Sequence, residues 1–397
     1  MENKNVNPEN KKRMSDGTAT LLETTVCCLF YVLACSYIPI ALYLPMGEWL
    51  SAALAFCVSI LGIFVLARVA HAFHAVATYA VILGIFVVFG GVLLPIGLFS
   101  AFATAACLYA FLLLKRRNPF VWGLPLIPLI IALLLFGSNS AILLSLSTLP
   151  CALLLAYSVK NKLGRVSAVC HISFGICLFT IALFVCAVWE TAGEISVTAA
   201  KSLIDAVKVQ LTDTLSSLTE EMGSLLGYDL ASSDTASVIS AAVATLFNLL
   251  PALIITLANV SAYIIHSLYL SIAYVSDEER KEALPMLTFD MSLHSAIIYV
   301  VALALSFILV SDSVAIYGTV AENVMLVLAP GLILTALAGI RALSAKKGPS
   351  CLGTLVYFGV IFMLFSLSAF AIIGVSLAGA ILIILAYFTK RKSDKVG

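Results

Sequence analysis

The sequence predicts an all-α fold, a polytopic transmembrane helical bundle, and three observations carry that prediction. Hydrophobic residues make up 62% of the 397 positions and charged residues 11%, with a mean hydropathy of +1.11. Soluble domains are roughly half apolar and a quarter charged, so a water-soluble fold is excluded. Apolar runs of spanning length recur through the chain, and the basic residues fall in short clusters between them. The longest such run, from Ser237 to Val275, has no Asp, Glu, Lys or Arg. At 1.5 Å per helical residue it would be nearly twice the roughly 30 Å of a bilayer core.

The opening MENKNVNPENKKRMSDG is polar and lacks a cleavage site, so residues 1–20 are expected to be a short cytoplasmic tail. Apolar runs follow near 21–44, 49–67, 75–94, 96–114, 119–137, 140–158 and 166–189, an expected N-terminal bundle of about seven spans over 21–190. The third and fourth are separated at Pro95. After an outer segment at 191–235, an expected C-terminal bundle over 236–390 holds about five more, near 243–275, 291–311, 321–343, 351–369 and 370–388. The last two are divided near Ile373 and Gly374, and 391–397 is a second cytoplasmic tail. The total is about twelve spans, within a range of ten to twelve.

Orientation follows from the positive-inside rule. With both termini cytoplasmic, the basic groups at Lys11 to Arg13, Arg68, Lys115 to Arg117, Lys160 to Arg165, Arg280 and Lys281, Arg341 to Lys347 and Lys390 to Lys392 all fall on the inner side. The outer turns carry Glu48, Asn139 and Asp312 and almost no basic residue. A bacterial cytoplasmic membrane is the expected location.

The outer segment is acidic, with eight Asp and Glu between Glu190 and Asp234 against Lys201 and Lys208. Leu203, Val207, Leu211, Leu215, Leu218, Met222 and Leu225 recur every three or four residues, one apolar face of an amphipathic helix. Helices that adsorb to anionic lipid are normally basic. This one is therefore expected to pack on its own protein.

Polar residues inside a membrane span are costly unless they bond a neighbour or face a cavity. Asn248, Asn259, Tyr263 and His266 would share one stripe of a continuous helix. Pro251 lies in the middle of that run and predicts a kink or a division into an outer amphipathic and an inner spanning part. Such a break frees backbone amides and carbonyls, which makes the stripe a candidate substrate-binding seam. Interhelical hydrogen bonding is the simpler use of the same side chains. Glu322 and Asn323, at the start of a later span, are candidates for the mouth of the seam, or they face the outer water.

Other chemistry finds little support. The ten cysteines include no CxxC pair, and nine of them, from Cys27 to Cys186, fall in apolar runs as small hydrophobes. Arg68, His71 and His74 form a row just inside the membrane, without the carboxylate or thiolate that a metal site needs. The sequence contains no GxxxxGK[ST], HExxH or GxSxG motif. No enzymatic activity, cofactor, metal or nucleic-acid partner is expected. Ala101 with Ala105 and Ala106 with Ala110 have the spacing that permits close helix approach.

The second half, from the acidic helix through LFNLLPALIITLANVSAYIIHSLYL, EALPMLTFDMSLHSAIIYVVAL and APGLILTALAGIRAL to the closing TKRK, resembles the YybS-like family. LPCALLLAYSVKNKLGR in the first half is similar in style. That bacterial family of multi-spanning membrane proteins has no established function. It is in turn distantly similar to the substrate-binding components of energy-coupling-factor transporters, which implies an ATPase and a coupling subunit as partners. The Ala-xxx-Ala coupling motif of those components does not occur in LLETTVCCLFYVLACSYIPIAL, so no binding residue is carried over. The expected function is small-molecule binding or transport, with a membrane scaffold for envelope or division machinery as the alternative.

Overall fold

The computed structural model describes residues 8–44, 48–69, 93–115, 119–226, 233–273, 291–309, 315–346, 359–360 and 369–393. All secondary structure among them is helical. In chain order the helices are α1 (Pro8–Tyr43), α2 (Glu48–Val69), α3 (Leu93–Lys115), α4 (Phe120–Gly123), α5 (Leu126–Leu135), α6 (Asn139–Ser145) and α7 (Thr148–Lys160). They continue as α8 (Arg165–Ala192), α9 (Val197–Leu226), α10 (Ser233–Asn248), α11 (Leu250–Ala273), α12 (Leu293–Ile308), α13 (Ala315–Lys346) and α14 (Ala369–Ser393).

Among the described residues, seven segments are long and apolar enough to cross a membrane: Leu21–Tyr43, Gly97–Leu114, Asn139–Lys160, Arg165–Ala192, Leu250–Ser271, Ile316–Ile340 and Phe370–Thr389. Of the twelve expected spans, those at 75–94 and 351–369 lie almost wholly outside the described residues. The segment near 291–311 gives the 16-residue α12, and that near 49–67 gives the 22-residue α2. The segment at 119–137 is divided into a four-residue and a ten-residue helix. Its cause is proline: Pro119, Pro125 and Pro128 lack the amide that a continuous ladder needs. Tighter bonds such as Trp122 N to Pro119 O (3.1 Å) and Ile127 N to Leu124 O (3.2 Å) carry the chain past the breaks.

Two other expected boundaries also have local reasons. Pro95 lies in the first turn of α3, where a missing N–H costs no intrahelical bond. The expected turn near Ile373 and Gly374 is not formed, because α14 is already under way at Ala369 and continues through both.

The chain divides into two compact units. The first comprises Met1–Cys186 and Ser261–Leu284, the second Ala187–Val260 and Pro285–Gly397. At the centre of the first, α3 packs on α1, α2 and α7. The four alanines with close-approach spacing, Ala101, Ala105, Ala106 and Ala110, are all fully buried there. Small side chains let the backbones approach, and the gain is dispersion rather than hydrophobic transfer where lipid is the solvent. Tyr31 of α1 stacks on Tyr109 of α3 with centroids 4.9 Å apart, and Cys35 Sγ lies 3.2 Å from Thr148 Oγ1 of α7. The Tyr37 hydroxyl donates to the Ser51 carbonyl of α2. Phe120, Trp122 and Leu134 on the proline-broken segment stay exposed, a natural disposition against acyl chains.

In the second unit α12, α13 and α14 pack on one another around Ala296, Tyr299, Met325, Leu332 and Ala380. The acidic amphipathic helix is α9, which packs on α10 with Lys208 Nζ 5.3 Å from the Phe247 ring centroid. Gly193, at a φ of +71°, turns the chain out of α8. Ser196 Oγ then accepts from Ala199 N at 3.0 Å and caps the start of α9.

Candidate functional site

The break at Pro251 organises the first group of candidate residues, all within the second unit. The helical ladder is interrupted at Leu249, which ends α10 at Asn248 and restarts the chain as α11 at Leu250. A helix end leaves unsatisfied carbonyls and a helix start leaves unsatisfied amides. Asn323 of α13 answers one of each. Its Nδ2 donates to the Asn248 carbonyl at 3.1 Å, and its Oδ1 accepts from Ala252 N at 3.2 Å. The second Nδ2 proton goes to Thr319 O of its own helix at 2.8 Å. One turn further on, Thr256 Oγ1 donates to Leu326 O at 3.0 Å, a second tie between α11 and α13.

Beside the break lies a groove of about 500 Å³. Pro251, Ala252 and Ile255 of α11 line it, with Ile298 of α12 and Val320, Asn323, Val324, Val327 and Leu328 of α13. A neighbouring groove of about 440 Å³ shares Ile298, Val320 and Val324 with it and continues along α12 and α13 to Leu305, Leu309 and Tyr317. Asn323 is the one side chain lining the first groove that can hydrogen-bond, and its polar atoms are already engaged at the break. The chemistry on offer to a ligand is therefore apolar.

The other candidates separate from this groove. Asn248 closes α10 with an exposed side chain, so the break takes it off the helix that carries Asn259, Tyr263 and His266. Asn259 is half-buried on α11 and Glu322 is exposed on α13; neither lines the groove.

Tyr263 and His266 belong to the first unit, and there they meet a residue that the sequence pattern assigns only to an inner loop. Arg165, the first residue of α8, is 4% exposed, and its guanidinium carbon sits 5.7 Å from the Tyr263 ring centroid. That is cation–π range. His266 is 3% exposed and within electrostatic reach of Arg165, and its Nδ1 has no hydrogen-bond partner among the described residues. The available signal for Arg165 is its position flush against an apolar span, where the side chain is as able to turn inward as toward water.

Metal chemistry gains nothing among the described residues, which bring together no group of three or more His, Cys, Asp or Glu. The row of Arg68, His71 and His74 lies outside the residues whose side chains are described. None of the nine described cysteines is joined in a disulfide, and His171 is engaged through Nδ1 with Ser167 O at 2.6 Å.

The model of a family described as "Predicted membrane protein (DUF2232)" matches residues 80–376. No curated protein and no solved structure matches the chain.

Proposed function

We propose, because the chain belongs to the DUF2232 family of predicted membrane proteins and carries a capped helix break beside an open groove, that it is a small-molecule binding or transport component of a bacterial cytoplasmic membrane. The single observation behind this reading is the groove at Pro251. Ligand sites in membrane proteins gather where a spanning helix is interrupted, and a concave, mostly apolar surface of this size fits a drug-sized molecule. Because its lining is apolar, the ligand is hydrophobic or amphipathic rather than a polar vitamin. The basic clusters support twelve spans with both termini inside. The resemblance to YybS-like proteins, and through them to energy-coupling-factor components, supports an ATPase and a coupling subunit as partners. No catalytic residue enters this reading, and the protein is not an enzyme in it.

The test is purification of the tagged protein in mild detergent from its native membrane, followed by mass spectrometry of co-purifying small molecules and proteins. Wild type is expected to retain an apolar or amphipathic metabolite. Ile298→Trp and Val324→Trp, which fill the groove, are expected to reduce its recovery about tenfold or more, the effect of about 1.4 kcal/mol of lost binding. Equal recovery from wild type and both filled variants would remove the groove as the site.

A second reading, a scaffold for envelope or division machinery, rests on the α9 and α10 pair. Val207, Val209 and Val238 remain exposed on these helices beside the acidic residues, a surface on which a partner can dock. Deleting 199–226 is then expected to remove a co-purifying envelope protein without changing metabolite recovery, and undiminished partner recovery rejects it.

A further inference from the structure

We infer that the two adjoining grooves on α12 and α13 form one trough that holds a single fatty acyl chain, with its polar head at the Tyr317 end and its tail at the Pro251 break. This deepens the binding reading above and rests on it, since the groove at Pro251 becomes the inner half of a longer site. The ends of the trough set its length. Tyr317 is the second residue of the spanning segment Ile316–Ile340 and so lies at the membrane edge, while Leu328 is the midpoint of that segment. From Tyr317 to Leu328 a helix rises about 16 Å, roughly half of a 30 Å hydrocarbon core and so the depth of one leaflet.

The section of the trough selects its occupant. The outer groove, of about 440 Å³, runs along α12 from Ile297 to Leu309. That distance is about 18 Å at 1.5 Å per residue, which gives a mean section of about 25 Å². A helix with its side chains is about 10–12 Å across and needs several times that area, so a partner's spanning helix does not enter and a hydrocarbon chain does. Buried Ala302 and Ala321 form the floor, and Val301, Leu305 and Val320 stand exposed along the rim. Exposed apolar side chains at membrane depth meet lipid tails, which are as apolar as they are. The trough is therefore continuous with the lipid-facing surface and fills from the side. A Cβ on Gly318 would lie 2.9 Å from the Leu309 carbonyl oxygen, so α12 and α13 touch at the outer end and leave the head outside, beside Tyr317. Asn323 is engaged at the break, which leaves the Tyr317 hydroxyl as the lining side-chain group for that head. Tyrosine suits the membrane edge because its ring is apolar and its tip wet.

The experiment places the full-length protein in phosphatidylcholine nanodiscs with palmitate that carries a diazirine near its methyl end, and maps the photolabelled peptides by mass spectrometry. Label is expected at residues 251–255 and at Val327 and Leu328, and excess palmitate is expected to remove it. Octanoate is too short to reach the break and is expected to compete about tenfold less well or worse, because the lost dispersion contacts are spread along the chain. Phe370 and Ile381, exposed on α14, report ordinary lipid contact, and label there is expected to resist competition. Leu305→Trp fills the outer half alone and Val327→Trp the inner half alone. Each is expected to reduce the competable label about tenfold or more. If only Val327→Trp acts, a compact ligand sits at Pro251, and the acyl chain is overturned while the binding reading stands. If only Leu305→Trp acts, or neither does, the site at Pro251 falls with it. Label at the break that resists palmitate as α14 does means annular lipid only, and it overturns the trough in the wild-type protein.

Discussion

Replacing Gly379 by leucine is expected to be the most damaging single substitution in the second unit, costing about 3 kcal/mol or more, because the clash is with backbone. A Cβ placed on Gly379 of α14 falls 2.8 Å from the carbonyl carbon of Leu332 and closer still to its oxygen. Leu332 is fully buried in the core of α12, α13 and α14, so α13 has no free direction in which to retreat. A leucine there separates α13 from α14 and forfeits dispersion contacts along the whole seam. Two glycines supply graded controls. Gly339→Ala meets the Cδ1 of Leu382 at 2.6 Å, the flexible end of a side chain that can rotate away, and is expected to cost little. Gly374→Ala, with nothing within 4 Å, removes a helix-weakening residue and is expected to stabilise by about 0.5–1 kcal/mol. Midpoints of thermal unfolding in one detergent order the three. If Gly379→Leu melts with wild type, α13 and α14 do not approach this closely.

The same glycines show what a sequence can and cannot convey here. The helical membrane bundle is legible because composition and run length are properties of the chain itself, and the helix break is legible because Pro251 has no amide to donate. The proline-broken segment at 119–137 was equally open to that reasoning, but its unbroken apolarity matches a span so well that length hides the three prolines. Gly374 suggests a turn by residue type, yet in the apolar α14 it costs only a helix-propensity increment that packing absorbs. Partners distant in sequence are a different matter. Asn323 reads as a polar residue at the mouth of a seam, and its use as the fastener of a helix break 71 residues earlier depends on how α11 and α13 pack. Arg165 counts as one more inner-loop charge under the positive-inside rule, which tallies residues and says nothing of where a side chain turns. Its contact with Tyr263 emerges only from the packing of the first unit.

Asn323→Leu tests the fastener directly, and it is expected to cost about 2–3 kcal/mol while keeping the same branched side-chain outline. Leucine fills the space of asparagine but accepts nothing from Ala252 N and donates nothing to the Asn248 carbonyl, so a helix-start amide and a helix-end carbonyl lose their partner together. Each buried backbone group left unsatisfied costs about 1–3 kcal/mol, and water at the break recovers part of that. Thr256 still ties α11 to α13 through Leu326 O, so the helices are expected to remain associated and the loss to stay local. Hydrogen exchange separates this from general unfolding: amides from 248 to 253 are expected to exchange faster, while those in the core of α12 and α14 keep wild-type protection. Asn323→Asp retains the acceptor for Ala252 N but donates nothing to Asn248, and it is expected to restore protection at Ala252 alone. Uniformly faster exchange across the unit would mean that Asn323 holds the whole bundle. Unchanged exchange would mean that the break is set by Pro251 and its neighbours alone, and Asn323 would then be available to a ligand in the groove after all.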